Sequence, residues 1–344
     1  MKKIALILLL FLTSTFLFAG NISFFSRIDF KNYYDSNILK LSSVTLSEFE
    51  DSTNPDKFKI ETSDDFVTSA KIDFGLKYHF LGHTQIDKIV LKYNKYWKNN
   101  VKDNGYLRIG IKQFFSKEIN LSLNYYLYPE IYSNRYKSVL DDDYHDYTYS
   151  KNVYNINFNW KFYSDWVLDY KFEFSQLYYN KYFTEYDAGN FASSISLGTN
   201  ISGFFNLIFK YSYKVSNADA EDAFDNPETI SQIKDASYES NIYNISFSFP
   251  ELIVISDKKI GFYSDFSLEK RFYQSEEPGD DYHLGRDDCI MKFLSHFTYP
   301  FSEDFRLRIF YEYETRNTDS PFNYVEDDKE YSLYKSGVSL IVSF

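Results

Sequence analysis

One pattern constrains this chain more than any other. Apolar and polar residues trade places at every second position, in run after run, up to the last residue. Between Phe66 and Phe80 one face carries Phe66, Ala70, Ile72, Phe74, Leu76, Tyr78 and Phe80; the other carries Ser69, Lys71, Asp73, Gly75, Lys77 and His79. A period of two puts successive side chains on opposite faces of a β-strand, so each run is a strand with one greasy and one wet face. The pattern returns where Tyr154, Ile156, Phe158, Trp160 and Phe162 oppose Asn155, Asn157, Asn159 and Lys161. It returns again where Phe305, Leu307, Ile309, Tyr311 and Tyr313 oppose Arg306, Arg308, Glu312 and Glu314.

Composition agrees with fine-grained mixing. The chain holds 34 Tyr and 35 Phe, yet its mean hydropathy is −0.43, so apolar bulk and polarity alternate rather than forming blocks. Beyond the first twenty residues no stretch approaches the ~20 apolar residues that a membrane-crossing helix needs. The single cysteine, Cys289, leaves no intrachain disulfide. A net charge of −12 comes from acidic clusters between the runs, among them Asp141–Asp143 with Asp146, and Asp219, Glu221, Asp222 and Asp225. No nucleic-acid partner is expected.

The start of the chain stands apart. Lys2 and Lys3 precede an apolar run from Ile4 to Phe18, and the small residues Ala19 and Gly20 follow. That is the arrangement of a secretory signal peptide cut after Ala19. The expected organisation is a leader over 1–19 and one exported domain over 20–344.

Counting every alternating run predicts about fourteen strands. The first seven fall near 22–34, 66–80, 86–98, 104–115, 119–132, 148–163 and 166–182. The second seven fall near 190–201, 204–216, 240–249, 258–274, 288–299, 304–316 and 330–344. Many reach the ~9–11 residues that cross a bilayer at a tilt. Their connections alternate: 35–65, 133–147, 217–239, 275–287 and 317–329 are long, whereas 81–85, 163–165 and 300–303 are short. Strands exposed to lipid must satisfy every backbone group without water, which a sheet closed on itself achieves. The fold expected is therefore all-β: a transmembrane antiparallel up-and-down β-barrel of about 14 strands, with short turns at one end and long loops at the other.

The last residues carry a resemblance. "GVSLIVSF", with Val338, Leu340, Val342 and Phe344 at alternate positions, resembles the C-terminal targeting signal of Gram-negative outer-membrane β-barrel, porin-like proteins. The resemblance implies short periplasmic turns, long extracellular loops and a final strand read by the barrel-assembly machinery. It also implies outer-membrane lipid and lipopolysaccharide as surroundings. The Tyr-Asp-Ser-Asn turn at Tyr33 to Leu39 is similar to one in several porin-like and assembly-modifier barrels. Aromatic girdles are expected at both interfaces, with Tyr78, Phe115, Phe162 and Trp166 on the turn side and Tyr93, Trp97, Tyr178 and Phe272 on the loop side.

With the polar rows turned inward, the lumen would be lined by Arg27, Lys71, Lys92, Arg108, Lys112, Lys171, Lys210, Lys292, Arg306 and Arg308 as bases, and by Asp29, Asp73, Glu173, Asp265 and Glu312 as acids. Two readings stand. Either banks of charge bias a wet channel towards anionic or polar solutes, or cross-strand ion pairs merely stabilise the wall. The function expected is a porin-like channel for passive diffusion of small polar solutes; the alternative is a structural, adhesive or assembly barrel acting through its acidic loops, and an outer-membrane hydrolase ranks behind both. The loops 35–65 and 217–239 are long enough to fold inward and narrow the pore. No enzyme is expected, and neither a cofactor nor a metal: His145 lies among Asp142, Asp143 and Asp146, and His283 follows Asp280 and Asp281, without a nucleophile elbow or spaced ligand motif.

Overall fold

The computed structural model describes residues 22–138, 140–201, 203–218 and 234–344. The leader expected over 1–19 and the acidic cluster from Asp219 to Asp225 lie outside the described residues. The chain forms strands β1 (Ser23–Asp35), β2 (Asp65–Phe80), β3 (His83–Tyr96), β4 (Asn104–Phe114), β5 (Ile119–Lys137), β6 (Tyr144–Tyr163) and β7 (Trp166–Tyr179). The second half forms β8 (Ala188–Ile201), β9 (Phe205–Asn217), β10 (Tyr238–Ile255), β11 (Lys258–Tyr273), β12 (Asp287–Pro300), β13 (Phe305–Asp319) and β14 (Tyr331–Ser343). Two short helices sit in loops: α1 (Ser43–Glu50) after β1 and α2 (Asn323–Lys329) after β13.

Every strand pairs antiparallel with its sequence neighbours, and β1 pairs with β14, so the sheet is a closed barrel of fourteen strands. Closure leaves no edge with unpaired backbone groups. Phe344 takes part in the seam: its N–H donates to the Ser26 carbonyl at 2.9 Å, and its carbonyl accepts from the Ser26 N–H at 3.1 Å.

The short ends are tight. Leu81 and Gly82 both have positive φ, as do Ser256 and Asp257, the two-residue turn geometry that matches the twist of paired strands. The opposite end carries the long connections, of which 36–64 holds α1.

Two expected boundaries move. The connection expected over 133–147 shrinks to 138–143, because β5 and β6 continue pairing through Arg135↔Asp146 and Lys137↔Tyr144. Register shifts at Tyr128/Ile131 and Tyr132/Asn134 reset which face each residue takes, and this hides the strand from a strict period-two reading. Likewise β10 runs on through Pro250 to Ile255, with a bulge between Phe249 and Ile253. There the ladder is interrupted, so proline's missing N–H costs no hydrogen bond.

The register fixes the faces. Phe74, Leu91, Ile195, Phe209 and Ile309 point outward and are largely exposed, Phe74 by 52% and Ile195 by 48%. A sealed sheet wearing apolar side chains on its outside and charges on its inside suits hydrocarbon, not water. Of the girdle residues, Tyr93, Trp97, Phe115, Phe162, Trp166 and Phe272 are exposed outward. Tyr178 is half-buried, and Tyr78 is buried, donating its hydroxyl to Asp87 at 2.8 Å while Gln85 bonds both. A carboxylate on the outer face is thus covered and hydrogen-bonded, as burial of such a group demands.

Among the described residues, a buried apolar cluster with the character of a core lies at the loop end. Ile38, Leu41 and Ile60 of the 36–64 segment pack there with Val67 and Tyr96.

Candidate functional site

Strand pairing brings the predicted charged residues onto one inward surface. Asp29 lies opposite Lys71, and Lys71 opposite Lys92; Arg27 lies opposite Asp73, and Val90 opposite Arg108. Further round the wall, Lys171 pairs with Ser194, Lys210 with Ser196, Asp265 with Ser246, Lys292 with Glu314, and Arg308 with Ser339. Val338, Leu340, Val342 and Phe344 take the outer face, with Phe344 72% exposed.

These charges divide into those that are ion-paired and those that are not. Ion pairs join Lys71 to Asp73 (3.3 Å), Lys171 to Glu173 (2.6 Å), Lys292 to Glu314 (3.5 Å) and, at 3.8 Å, Arg27 to Asp29. Glu312 is taken by Lys31 at 3.0 Å. Among the described residues, Lys92, Lys112, Lys210, Arg306 and Arg308 make no ion pair, and Arg108 bonds the neutral Asn124 at 2.6 and 3.0 Å. On β2–β4 the excess is concentrated. Lys88 lies opposite Gly110, so Arg108 and Lys112 are its diagonal neighbours, and Lys71 faces Lys92 directly. Like charges that close are tolerated only in water. Arg27 and Lys171 point inward and still keep 40% and 36% of their side-chain surface open.

The outer mouth is different. The 36–64 segment folds inward, as its length allowed. Asn37 seats it: the side chain donates to the Leu41 and Ser332 carbonyls and accepts from the Leu41 N–H. Ser42 caps α1 by accepting from the Thr45 N–H at 3.1 Å. Lys40 then reaches Glu314 on β13 at 2.7 Å, and Thr45 donates to Asp328 of α2 at 3.1 Å. On the far side Arg135 donates to the Asp56 carbonyl, and Lys59 pairs with Asp146. One segment therefore touches β13, α2, β5 and β6 across the barrel.

Next to it the connection 180–187 tucks Phe183 inside, where it meets Tyr147 at 4.9 Å between ring centres; Tyr147 also meets Tyr136, Tyr179 and Tyr186. Phe183 is buried, as are Thr184 and Glu185. Packed loops thus lie over the lumen at the mouth.

Electrostatics follow from that packing. Burial pushes the Lys40 ammonium down from its ordinary value, and Glu314 partly restores it. Lys102, between β3 and β4, donates to the Tyr132 carbonyl at 2.9 Å, and its enclosure lowers it to about 8. For Asp328 burial works against the charged form, yet Lys329 and Lys57 outweigh it and hold the carboxyl below its usual range.

The histidines weighed from sequence serve loop geometry. His283 is buried, its Nδ1 at 2.8 Å from Asp280, whose carboxylate also accepts from Asp235 N–H and Ser275. His145 bonds Asp141 at 2.8 Å and stacks on Tyr182. Several lumen residues escaped the sequence reading. Lys31, Arg271 and Arg316 share a face with predicted neighbours and follow from parity alone. Lys40 lies outside any strand and carries no periodic signal.

No protein-family model matches this chain, and no curated protein matches it. Among solved structures, the chain is similar to a loop-deleted form of OmpT, an outer membrane protein of Vibrio cholerae, at 8% identity over 95% of this chain and 100% of that one, with a TM-score of 0.49. It is similar to the outer membrane channel DcaP of Acinetobacter baumannii at 9% identity, covering 94% and 97% of the two chains, with a TM-score of 0.48. An anion-selective porin from Comamonas acidovorans shows 7% identity over 94% and 99%, with a TM-score of 0.44. The class expected from sequence, an outer-membrane-type β-barrel, is the fold observed, and it rests on the hydrogen-bonded closure described above.

Proposed function

We propose that this protein is an outer-membrane channel through which small polar solutes, anions preferentially, diffuse down their gradients. The observation that carries this reading is the set of half-open charged side chains inside a sealed apolar wall. Charges in a dry lumen would be expensive, and water accommodates them. The unpaired bases on β2–β4 and β13 give the path its positive bias. The 36–64 segment acts as the constriction.

A second reading draws on the packed mouth. A barrel whose loops close over its lumen suits an adhesive or assembly role, in which those loops meet a partner. Swelling of proteoliposomes in isotonic sugars and amino acids separates the two. The channel reading expects swelling that slows with solute size; a barrel acting only through its loops gives none.

A further inference from the structure

Beneath the 36–64 segment, where the open lumen meets the packed mouth, lies a cavity of about 280 Å³. Six cationic side chains line it, Lys40, Lys57, Arg271, Lys292, Arg316 and Lys329, against three carboxylates, Glu269, Glu314 and Asp328.

The signs are also layered. Glu314 is shared by Lys40 at 2.7 Å and Lys292 at 3.5 Å, and it accepts from the Tyr331 hydroxyl at 2.6 Å. Its side chain is 16% exposed, whereas those of Lys40 and Lys292 are 46% and 48% exposed. The carboxylate is the more covered partner, and the two lysine side chains are the more open. Arg316 spends its Nε–H on the Lys329 carbonyl at 2.8 Å and stands 3.9 Å from Asp288. Both Asp288 oxygens already accept from Arg286, at 3.0 and 2.7 Å. Lys57 is met by Glu48 at 2.7 Å and Arg271 by Glu269 at 2.9 Å. Two lysines on one acid, and an arginine beside an acid already taken, still leave positive charge in excess on the cavity wall. Such charge is costly without an anion or ordered water.

We propose that this cavity is a binding site for a small organic anion carrying two or three carboxylates, held by Lys40, Lys292 and Arg316. The proposal deepens the diffusion reading and rests on it, since the solute reaches the cavity through the lumen. Spaced cations reward an anion whose charges are spaced likewise, and Tyr331 and Ile290 offer apolar wall to the carbon between them. A single-charge anion engages one group and gains little.

Titration calorimetry on the purified full-length barrel in detergent tests this, with citrate, acetate and glucose as probes. Citrate is expected to bind at one site and at least about tenfold more tightly than acetate, as charge-assisted bonds of this kind imply, with glucose silent. Arg316→Gln and Lys292→Gln are each expected to weaken citrate by about tenfold while leaving acetate unchanged. Lys292 is half-exposed, so its variant keeps the test valid if Arg316→Gln does not fold. Equal binding of citrate and acetate, or citrate binding untouched by Lys292→Gln, overturns the proposal. Citrate binding by a barrel that gives no liposome swelling supports the site and overturns only the diffusion reading. Swelling without a citrate site does the reverse.

Discussion

Lys40, on the segment that leaves the top of β1, donates to Glu314 on β13 at 2.7 Å and so fastens that segment to the wall just past the intervening β14. The contact joins elements that share no strand pairing and holds the start of the segment in place. Removing residues 43–57, which hold α1 and the turn after it, is expected to raise single-channel conductance several-fold in planar bilayers. Lys40→Ala should give a smaller rise with more frequent switching between levels. Unchanged conductance in both would place the constriction elsewhere.

The enclosed Lys102 makes a pH prediction. Its pKa falls to about 8 in the folded chain from an ordinary 10.5. Below pH 8 both states hold the proton and the penalty is present in full. Between about pH 8 and 10.5 the unfolded chain holds more protons, so stability rises with pH. Urea unfolding in detergent, followed by tryptophan fluorescence from pH 7 to 9.5, is expected to show a gain of about 1–3 kcal/mol. Lys102→Met should flatten that rise relative to the parent, which separates Lys102 from the tyrosines that titrate at higher pH.

Adjacent residues on β8 test the facing of the wall. Ile195 points outward and Ser196 inward, opposite Lys210 and Asp169. Ile195→Arg, on the lipid side, is expected to cost about 2–4 kcal/mol if it lies near the bilayer midplane. Ser196→Arg, beside Asp169, is expected to cost under about 1 kcal/mol and to increase anion preference. Unfolding from lipid vesicles measures both. Equal costs would contradict the assignment of faces.

Phe344 closes the seam with two backbone hydrogen bonds to Ser26 and holds its ring on the outer face. Deleting it is expected to remove about 1–2 kcal/mol and to slow folding into vesicles. Phe344→Ser keeps the backbone bonds and loses only the ring, so it should fold nearly as well in vitro. A large drop of that variant in cell outer membranes would then mark the ring as the part read during assembly.

How much of this was legible in the sequence depends on what the period of two can carry. Runs such as Phe66 to Phe80 and Phe305 to Tyr313 name both their strand and their faces, because a strand allows no other alternation. The ends of β5 and β10 were hidden for the converse reason: a bulge inserts a residue and reverses parity, so residues beyond Tyr132 and Phe249 read as loop. Parity also says which side chains face inward without saying which ones pair. Lys171 and Glu173, two apart on one strand, could have been matched by inspection. Lys31 and Glu312 could not, since their contact depends on β1 and β13 both flanking β14 in a closed sheet. Lys40 was beyond reach altogether, because a loop's position across a lumen is set by packing of Ile38 and Leu41 and by Asn37, none of which is periodic.

The central claim is a water-filled lumen whose unpaired bases outweigh its acids, and the reversal potential of the reconstituted protein in a potassium chloride gradient tests it most directly. The account predicts steady conductance with a reversal potential of the chloride-preferring sign, moving toward zero in the Arg108→Gln, Lys112→Gln double variant. A cation-preferring sign, or no conductance from correctly folded protein with the 43–57 segment removed, would contradict it.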